Sequence, residues 1–384
     1  MAEITPFRCD VPESVIADLR ARLAATRFPD QLDGAGWDYG SERSYVRDLC
    51  AYWRDRFDWR AAEARFNSFP QFVTEIAGER VHFYHVRSPE PDALPLIVTH
   101  GYPGSVAEFL DVLGPLSDPV RHGGDRADAF HVIAPSIPGY GFSGPTRQRG
   151  FDMGKVAEVN IRLMEMLGYD RYVAQGGDWG AGISTAMAFK APERLIALHV
   201  NLISGRPANP ADPLAGLSEE ERAQLEWKRT YDANESGYQL IQATKPQSLA
   251  YGLTDSPAGL AAWIVEKFRT WSDCGGDVER AFTKDQLLEN IMLYWVTGTI
   301  NSAMRLYYES MGPGRASAMG VGRVETPTAH ARYPAEIRPT PRAWAEQIYN
   351  IVRWTRMPKG GHFAALEQPQ LFMNDLREFC RDFR

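Results

Sequence analysis

Cysteine is scarce in this chain of 384 residues, and Cys9, Cys50, Cys274 and Cys380 are scattered with no CxxC pair. With no histidine at metal-ligand spacing either, neither a zinc site nor a disulfide framework is signalled, and free thiols are expected. No apolar run approaches the ~20 residues needed to span a bilayer, and residues 1–8 carry no apolar leader core. A cytoplasmic protein without a membrane partner is the expectation. Basic residues are outnumbered, 42 Lys and Arg against 49 Asp and Glu, and the net charge of −7 argues against nucleic acid as a partner. Internal repeats and low-complexity tracts are lacking too. The glycine-rich loop 138–143 lacks the Gly-Lys-Ser or Gly-Lys-Thr of a phosphate loop, so it predicts close packing rather than a nucleotide site. These exclusions leave a small uncharged substrate, no metal and no cofactor, with a homo-oligomer left open.

Core material is ample, 44% hydrophobic residues, and the length predicts either two domains or one large α/β domain with an insertion. Asp10-Val11-Pro12-Glu13 reads as a capping box ahead of a helix with Val15, Leu19 and Leu23 on one face, and a second helical stretch runs near 44–56. The aromatic density of this region predicts an arm lying against a larger body, because so much apolar surface would otherwise face water. From Phe72 the pattern changes to short β-like runs at 72–76, 81–86, 96–100 and 130–134. The last two are nearly continuous apolar runs, as parallel strands buried on both faces require, with helical crossovers such as 105–116 between them. Further strand candidates are 195–203 and 347–357. Between those two the chain is helical and Pro-punctuated for more than a hundred residues, and the strand period returns only after about 340. Ser218 with Glu221, Ser256 with Pro257, and Thr283 with Gln286 mark helix starts there. The insertion predicts a lid over an active-site mouth. The expected division is an arm over 1–90, the first part of an α/β core over 91–205, a helical lid over 206–325 and the second part of the core over 326–384.

One stretch organises the rest. Residues 173–176 form a short apolar run that breaks into Gly176-Gly177-Asp178-Trp179-Gly180 and continues as a plausible helix over 183–190. Strand, sharp turn and helix with small flanking residues is the pattern of the nucleophile elbow of α/β-hydrolases, where the turn is strained and closely packed and the apical side chain stands free. The apex here is aspartate, not serine. An alkylated serine would be an ether that water cannot readily cleave, whereas an alkylated aspartate is an ester. Asp178 therefore suits alkyl electrophiles, and with an ordinary pKa of about 3.9 it needs no base to become a nucleophile. Taken alone, the motif is equally compatible with Asp178 capping the following helix.

The partners of Asp178 weigh against simple capping. His100-Gly101-Tyr102-Pro103-Gly104 follows directly on a strand, where the loop of an oxyanion hole belongs, so the backbone N–H groups of Trp179 and Tyr102 are the expected donors. The base of this arrangement should come late in the chain, and His362, in Lys359-Gly360-Gly361-His362-Phe363, is the histidine so placed. The other histidines read as core or surface residues. An orienting acid is expected from the loop after the preceding strand; Glu336, Asp375 and Glu346 are all open on the residues alone.

With these motifs in view the chain resembles a microsomal-type epoxide hydrolase with an N-terminal epoxide-hydrolase arm. The resemblance rests on 22–29, Tyr52-Trp53-Arg54, Phe57-Asp58-Trp59-Arg60 and the Gly176–Gly180 turn, and it covers nearly everything from Pro6 to Phe379. It implies an α/β-hydrolase fold with a mostly parallel sheet, a helical lid and an N-terminal helical arm. It implies Asp178 as nucleophile, His362 as base and Glu336, in its Pro-x-Glu context, as acid. It also implies two lid tyrosines that hydrogen-bond the epoxide oxygen, matched by Tyr238 and Tyr307, with Tyr308 the neighbouring alternative. Two departures stand out: Tyr102 replaces the family's usual tryptophan, and the hydrophobic anchor of membrane-bound members is not seen, which points to the soluble, bacterial-type branch. The implied reaction is hydrolysis of an epoxide, an aryl type among the options, to a vicinal diol through an aspartyl ester. A haloalkane dehalogenase-like hydrolase would share the ester but need halide-binding Trp or Asn donors, and an inactive hydrolase-fold binding protein would not need the full set of Asp178, His362 and Glu336.

Overall fold

The computed structural model describes residues 3–315 and 319–384. Nine strands form one sheet: β1 (Thr5–Phe7), β2 (Gln71–Ile76), β3 (Glu79–Val86), β4 (Leu94–Thr99), β5 (Phe130–Pro135), β6 (Tyr172–Gly176), β7 (Leu195–Val200), β8 (Val324–Arg332) and β9 (Tyr349–Arg356). Their order is β1-β2-β3-β5-β4-β6-β7-β8-β9. The first three pair antiparallel, and β5 through β9 run parallel with β4 among them. The apolar runs of β4, β5 and β6 are fully buried, Leu96 to Val98, Val132 to Ala134 and Tyr172 to Ala174 all being inaccessible. Helix Leu110–Ser117 packs against Pro369–Cys380, and Met153–Met166 against Asp178–Lys190, so helices cover the parallel strands as such sequences require.

The segment 1–90 contributes both helices and sheet. Its strands β1 to β3 extend the main sheet, while its helices Glu13–Ala24 and Arg43–Asp55 pack on the lid helix Pro257–Trp271. Trp53 Nε1 donates to Met292 Sδ at 3.2 Å and Tyr52 to Asp285 at 2.8 Å, so arm and lid share a core. The capping box expected at Asp10 does not form. The helix begins at Glu13 behind Pro12 with no side-chain cap, and Ile16, Leu19 and Leu23 make its buried face.

Among the described residues between β7 and β8 lie six α-helices: Glu219–Glu235, Gly237–Thr244, Pro246–Asp255, Pro257–Trp271, Lys284–Thr297 and Ile300–Met311. Both expected capping boxes form there, at Ser218 with Glu221 and at Thr283 with Gln286. The sequence pattern does not predict β8. In Val-Glu-Thr-Pro-Thr-Ala-His-Ala-Arg a proline and polar residues mask the strand, and the register with β9 shifts between Val324 and Pro327. A proline is tolerated at such an irregularity because no ladder hydrogen bond is asked of it. The strand period thus returns at Val324, ahead of the expected 340.

Candidate active site

Strand β6 ends at Gly176, the helix starts at Asp178, and the turn between them puts Asp178 at φ +47°, a left-handed conformation rare for a residue with a side chain. Close packing enforces the turn. A Cβ on Gly176 would lie 2.2 Å from the Gly180 backbone, and one on Gly180 would lie 1.9 Å from the Thr99 carbonyl oxygen. The loop after β4 closes on the apex from the other side, where a Cβ on Gly101 would meet Asp178 at 2.3 Å. The Tyr102 N–H donates to Asp178 Oδ1 at 2.7 Å, and the Trp179 N–H also bears on the carboxylate. The two expected oxyanion donors therefore meet at one carboxyl group.

His362 Nδ1 lies 2.9 and 3.1 Å from the two oxygens of Glu336, and its Nε2 lies 3.3 Å from Asp178 Oδ2, an ion-pair distance without hydrogen-bond alignment. Glu336 follows β8 and His362 follows β9, so adjacent parallel strands deliver both to the sheet edge where the elbow stands. Of the other acids, Asp375 binds His199, Arg353 and Thr355, and Glu346 binds Arg342, both away from His362. Burial opposes charge on His362, but the flanking carboxylates of Glu336 and Asp178 outweigh it and carry its pKa well above the ordinary range. Burial likewise opposes charge on Asp178, and His362 with the two backbone N–H groups holds its pKa below normal. Both shifts favour the charged forms, carboxylate on Asp178 and imidazolium on His362.

Tyr238 and Tyr307 face Asp178 from the lid. Their ring centroids are 5.9 Å apart at 81°, and the Tyr307 ring stands edge-on to Trp179 at 4.8 Å and to Tyr102 at 5.3 Å. Tyr307 is 2% exposed; Tyr308 is 39% exposed and lines none of this region. Burial first, with the nearby Asp178 charge adding to it, raises both phenols above their ordinary pKa. Together with Met153, Leu202, Met311, Met319 and Ile337 the tyrosines, Trp179 and Asp178 line a cavity of about 150 Å³.

Several supporting residues carry no signal in the sequence. Tyr294 donates to the Gly104 carbonyl at 2.6 Å and Asn290 to the Pro103 carbonyl at 2.7 Å, so the lid helix Lys284–Thr297 clamps the loop that holds Tyr102. Trp263 donates to the Tyr102 hydroxyl at 2.7 Å, an arrangement specific to tyrosine at that position. The His362 N–H donates to the Trp271 carbonyl at 2.9 Å, and a Cβ on Gly361 would lie 2.7 Å from the same oxygen. Lys267, buried beside Glu266, sets its ammonium 4.7 Å from the Tyr238 ring centroid. The glycine-rich loop 138–143 seats the lid: the Gly141 N–H donates to Thr299, and Ser302 donates to the Gly139 carbonyl.

A mostly parallel sheet with a carboxylate elbow, a histidine after the last strand and an acid after the one before defines an α/β-hydrolase, and the model of the alpha/beta hydrolase fold matches residues 95–256. The model of the epoxide hydrolase N terminus matches residues 4–109. A Stigmatella aurantiaca protein named as an epoxide hydrolase is 45% identical, covering 99% of this chain and 86% of its own. Epoxide hydrolase 1 of Sus scrofa is 38% identical over 98% of this chain and 88% of its own. Among solved structures, juvenile hormone epoxide hydrolase from Bombyx mori superposes with a TM-score of 0.90 at 33% identity, covering 100% of this chain and 95% of that one. The chain belongs to the epoxide hydrolase family.

Proposed function

We propose that this epoxide hydrolase converts an apolar epoxide and water to a vicinal diol in two steps, through an ester on Asp178. The observation that carries the reading is the place of Asp178 between the Tyr238–Tyr307 pair and the His362–Glu336 pair. In the first step an Asp178 oxygen attacks a ring carbon from the back, the carbon–oxygen bond of the epoxide breaks, and the departing oxygen takes a proton from the tyrosines. Phenols with raised pKa values stay protonated across the working range, which keeps them donors. Forming the ester neutralises Asp178 and removes one of the charges that held the proton on His362. The imidazolium can then lose that proton, which replaces the one given up by the tyrosines, and the neutral imidazole can accept one from water.

In the second step water adds to Asp178 Cγ while His362, steadied by Glu336, takes its proton. The Trp179 and Tyr102 N–H groups hold the developing oxyanion, and the bond from Cγ to the diol oxygen breaks. The methionine, leucine and isoleucine walls of the cavity support a hydrophobic substrate, an aryl epoxide among them. A His362→Gln protein should react once and stall, leaving an adduct one substrate mass heavier on the peptide containing Asp178. Normal substrate binding without any mass increase, sampled from the first turnover, would refute the ester step as written.

A further inference from the structure

Asp178 is shared by two cavities, and among the described residues it is the only one that lines both. The larger holds the tyrosines. The smaller, about 20 Å³ and so room for about one water, lies on the side of His362 and is walled by Glu108, His100, Gln175, Asn201 and Phe363. Its polar wall has open hydrogen-bonding capacity: Gln175 Oε1 and His362 Nε2 are both buried without a hydrogen-bond partner. A polar cavity with unpartnered donors and acceptors is the kind that holds water, whereas an apolar one stays dry.

Glu108 is the group in this wall that the two-step reaction leaves unused. It sits in the short turn Val106–Phe109 and reaches back under the loop that carries Tyr102. The loop makes room for it, since a Cβ on Gly104 would lie 1.6 Å from Glu108 Oε1. Among the described residues no lysine or arginine pairs with Glu108. The Gly101 and Ser105 N–H groups bear on its carboxylate, but no cation neutralises it.

We propose that Glu108 is a positioning residue of the hydrolytic half-reaction: with His362 Nε2 it holds, in the smaller cavity, the water that attacks the Asp178 ester. The proposal rests on the ester reading above and assigns the source of its water. The water gives its proton to His362 Nε2, its oxygen bonds to Asp178 Cγ, and the bond from Cγ to the diol oxygen breaks. The diol oxygen then takes the proton from His362, and Glu108 ends as it began. Burial raises the Glu108 pKa to about 8 against the opposing pull of His362, so near neutrality the carboxyl can both donate to and accept from a water.

The test separates the two steps by rapid quench with an aryl epoxide, measuring ester formation and ester decay in wild type, Glu108→Leu, Glu108→Gln and Gly104→Ala. Ester formation should stay within about threefold of wild type in all three, whereas Glu108→Leu should slow ester decay on the order of 10²-fold, as expected when a reacting water loses its place. Glu108→Gln, which can still donate and accept, should restore most of that loss. Gly104→Ala, which displaces the carboxyl without touching Asp178 or His362, should reproduce the decay defect and carries the test if Glu108→Leu does not fold. Ester decay at the wild-type rate in Glu108→Leu or Gly104→Ala overturns the role of Glu108 alone, as does an equal loss in both steps. Absence of any ester in the wild-type enzyme overturns the two-step reading and this role with it.

Discussion

At the scale of single residues, chemistry at this site follows from which charges face which side chains. Tyr238 and Tyr307 lie edge to face above Asp178, and the buried Lys267 ammonium lies against the outer face of Tyr238. Two donors converging on one departing oxygen share the load. Either Tyr238→Phe or Tyr307→Phe should therefore slow ester formation on the order of 10²-fold, and the double variant, left with no donor at that oxygen, should nearly abolish it. Tyr308→Phe should leave the rate unchanged, because that ring is turned away at 39% exposure. Burst kinetics on the four proteins decide it; a fully active Tyr307→Phe would remove Tyr307 from the pair. Asp178 and His362 were legible in the sequence because backbone demands mark them, with glycines flanking an apex in one case and preceding a late loop histidine in the other. Glu336 was not separable from Asp375 and Glu346 by residue type alone, and it is the fold that sends Asp375 to His199 and Arg353. Asn290, Tyr294, Trp263 and Lys267 were invisible because their partners are brought close only when the lid helices close on the loop after β4.

At the scale of elements, the helices of the insertion begin where the capping signals put them but differ in how firmly they belong to the molecule. Helix Lys284–Thr297 buries eight residues, from Leu287 to Tyr294, and grips the Tyr102 loop. Helix Glu219–Glu235 buries none, and its Trp227 is 48% exposed. The same chemistry at the two caps should thus have unequal consequences. Thr283→Ala removes a cap from a helix whose unravelling would expose core, and should cost global stability about 1 kcal/mol. Ser218→Ala should fray its helix locally and leave the global denaturation midpoint nearly unchanged, because that helix can open below the global transition. Urea denaturation paired with hydrogen exchange along both helices checks this, and an equal drop in midpoint for the two variants would refute it. Continuous apolar runs gave away β4, β5 and β6. Strand β8 was hidden because Pro327 and Glu325 break the pattern and its hydrogen bonds come from β7 and β9, strands distant in sequence. The missing cap at Asp10 has a similar cause, since Glu63 of a neighbouring helix takes the Val11 N–H at 2.7 Å.

At the scale of the whole molecule, burial has been spent on two opposed sets of titrating groups, and their balance sets how stability depends on pH. Desolvation lowers the pKa of His82 and His330 to about 3 and of His85 and His100 to about 4. Between those values and the ordinary value of about 6.5 the unfolded chain binds protons that the folded chain does not, so these four make stability rise with pH up to about 6.5. Desolvation raises Glu289 to about 6, Glu367 to about 7 and Glu108 to about 8. From their ordinary value of about 4.3 up to those values the folded chain binds protons that the unfolded chain does not, so each makes stability fall as pH rises through its window. His362, raised by its carboxylate neighbours, adds to the fall, because its contribution is complete below the unfolded value and is lost as pH passes the folded one. Below about 6.5 four histidines oppose three carboxyls and the rise prevails; above it the histidines are silent in both states, and Glu367, Glu108 and His362 act alone. Urea midpoints measured across the range should therefore peak near pH 6.5 and decline toward both pH 4.5 and pH 8.5. Glu367→Gln, which sits beside the His362 loop through the Phe363 and Asp273 N–H groups and takes no part in the chemistry, should flatten the part of the alkaline decline that lies near pH 7. A midpoint that keeps climbing from pH 6.5 to 8.5 would mean that the buried carboxyls are ionised in the folded protein, and the balance drawn from their burial would be wrong.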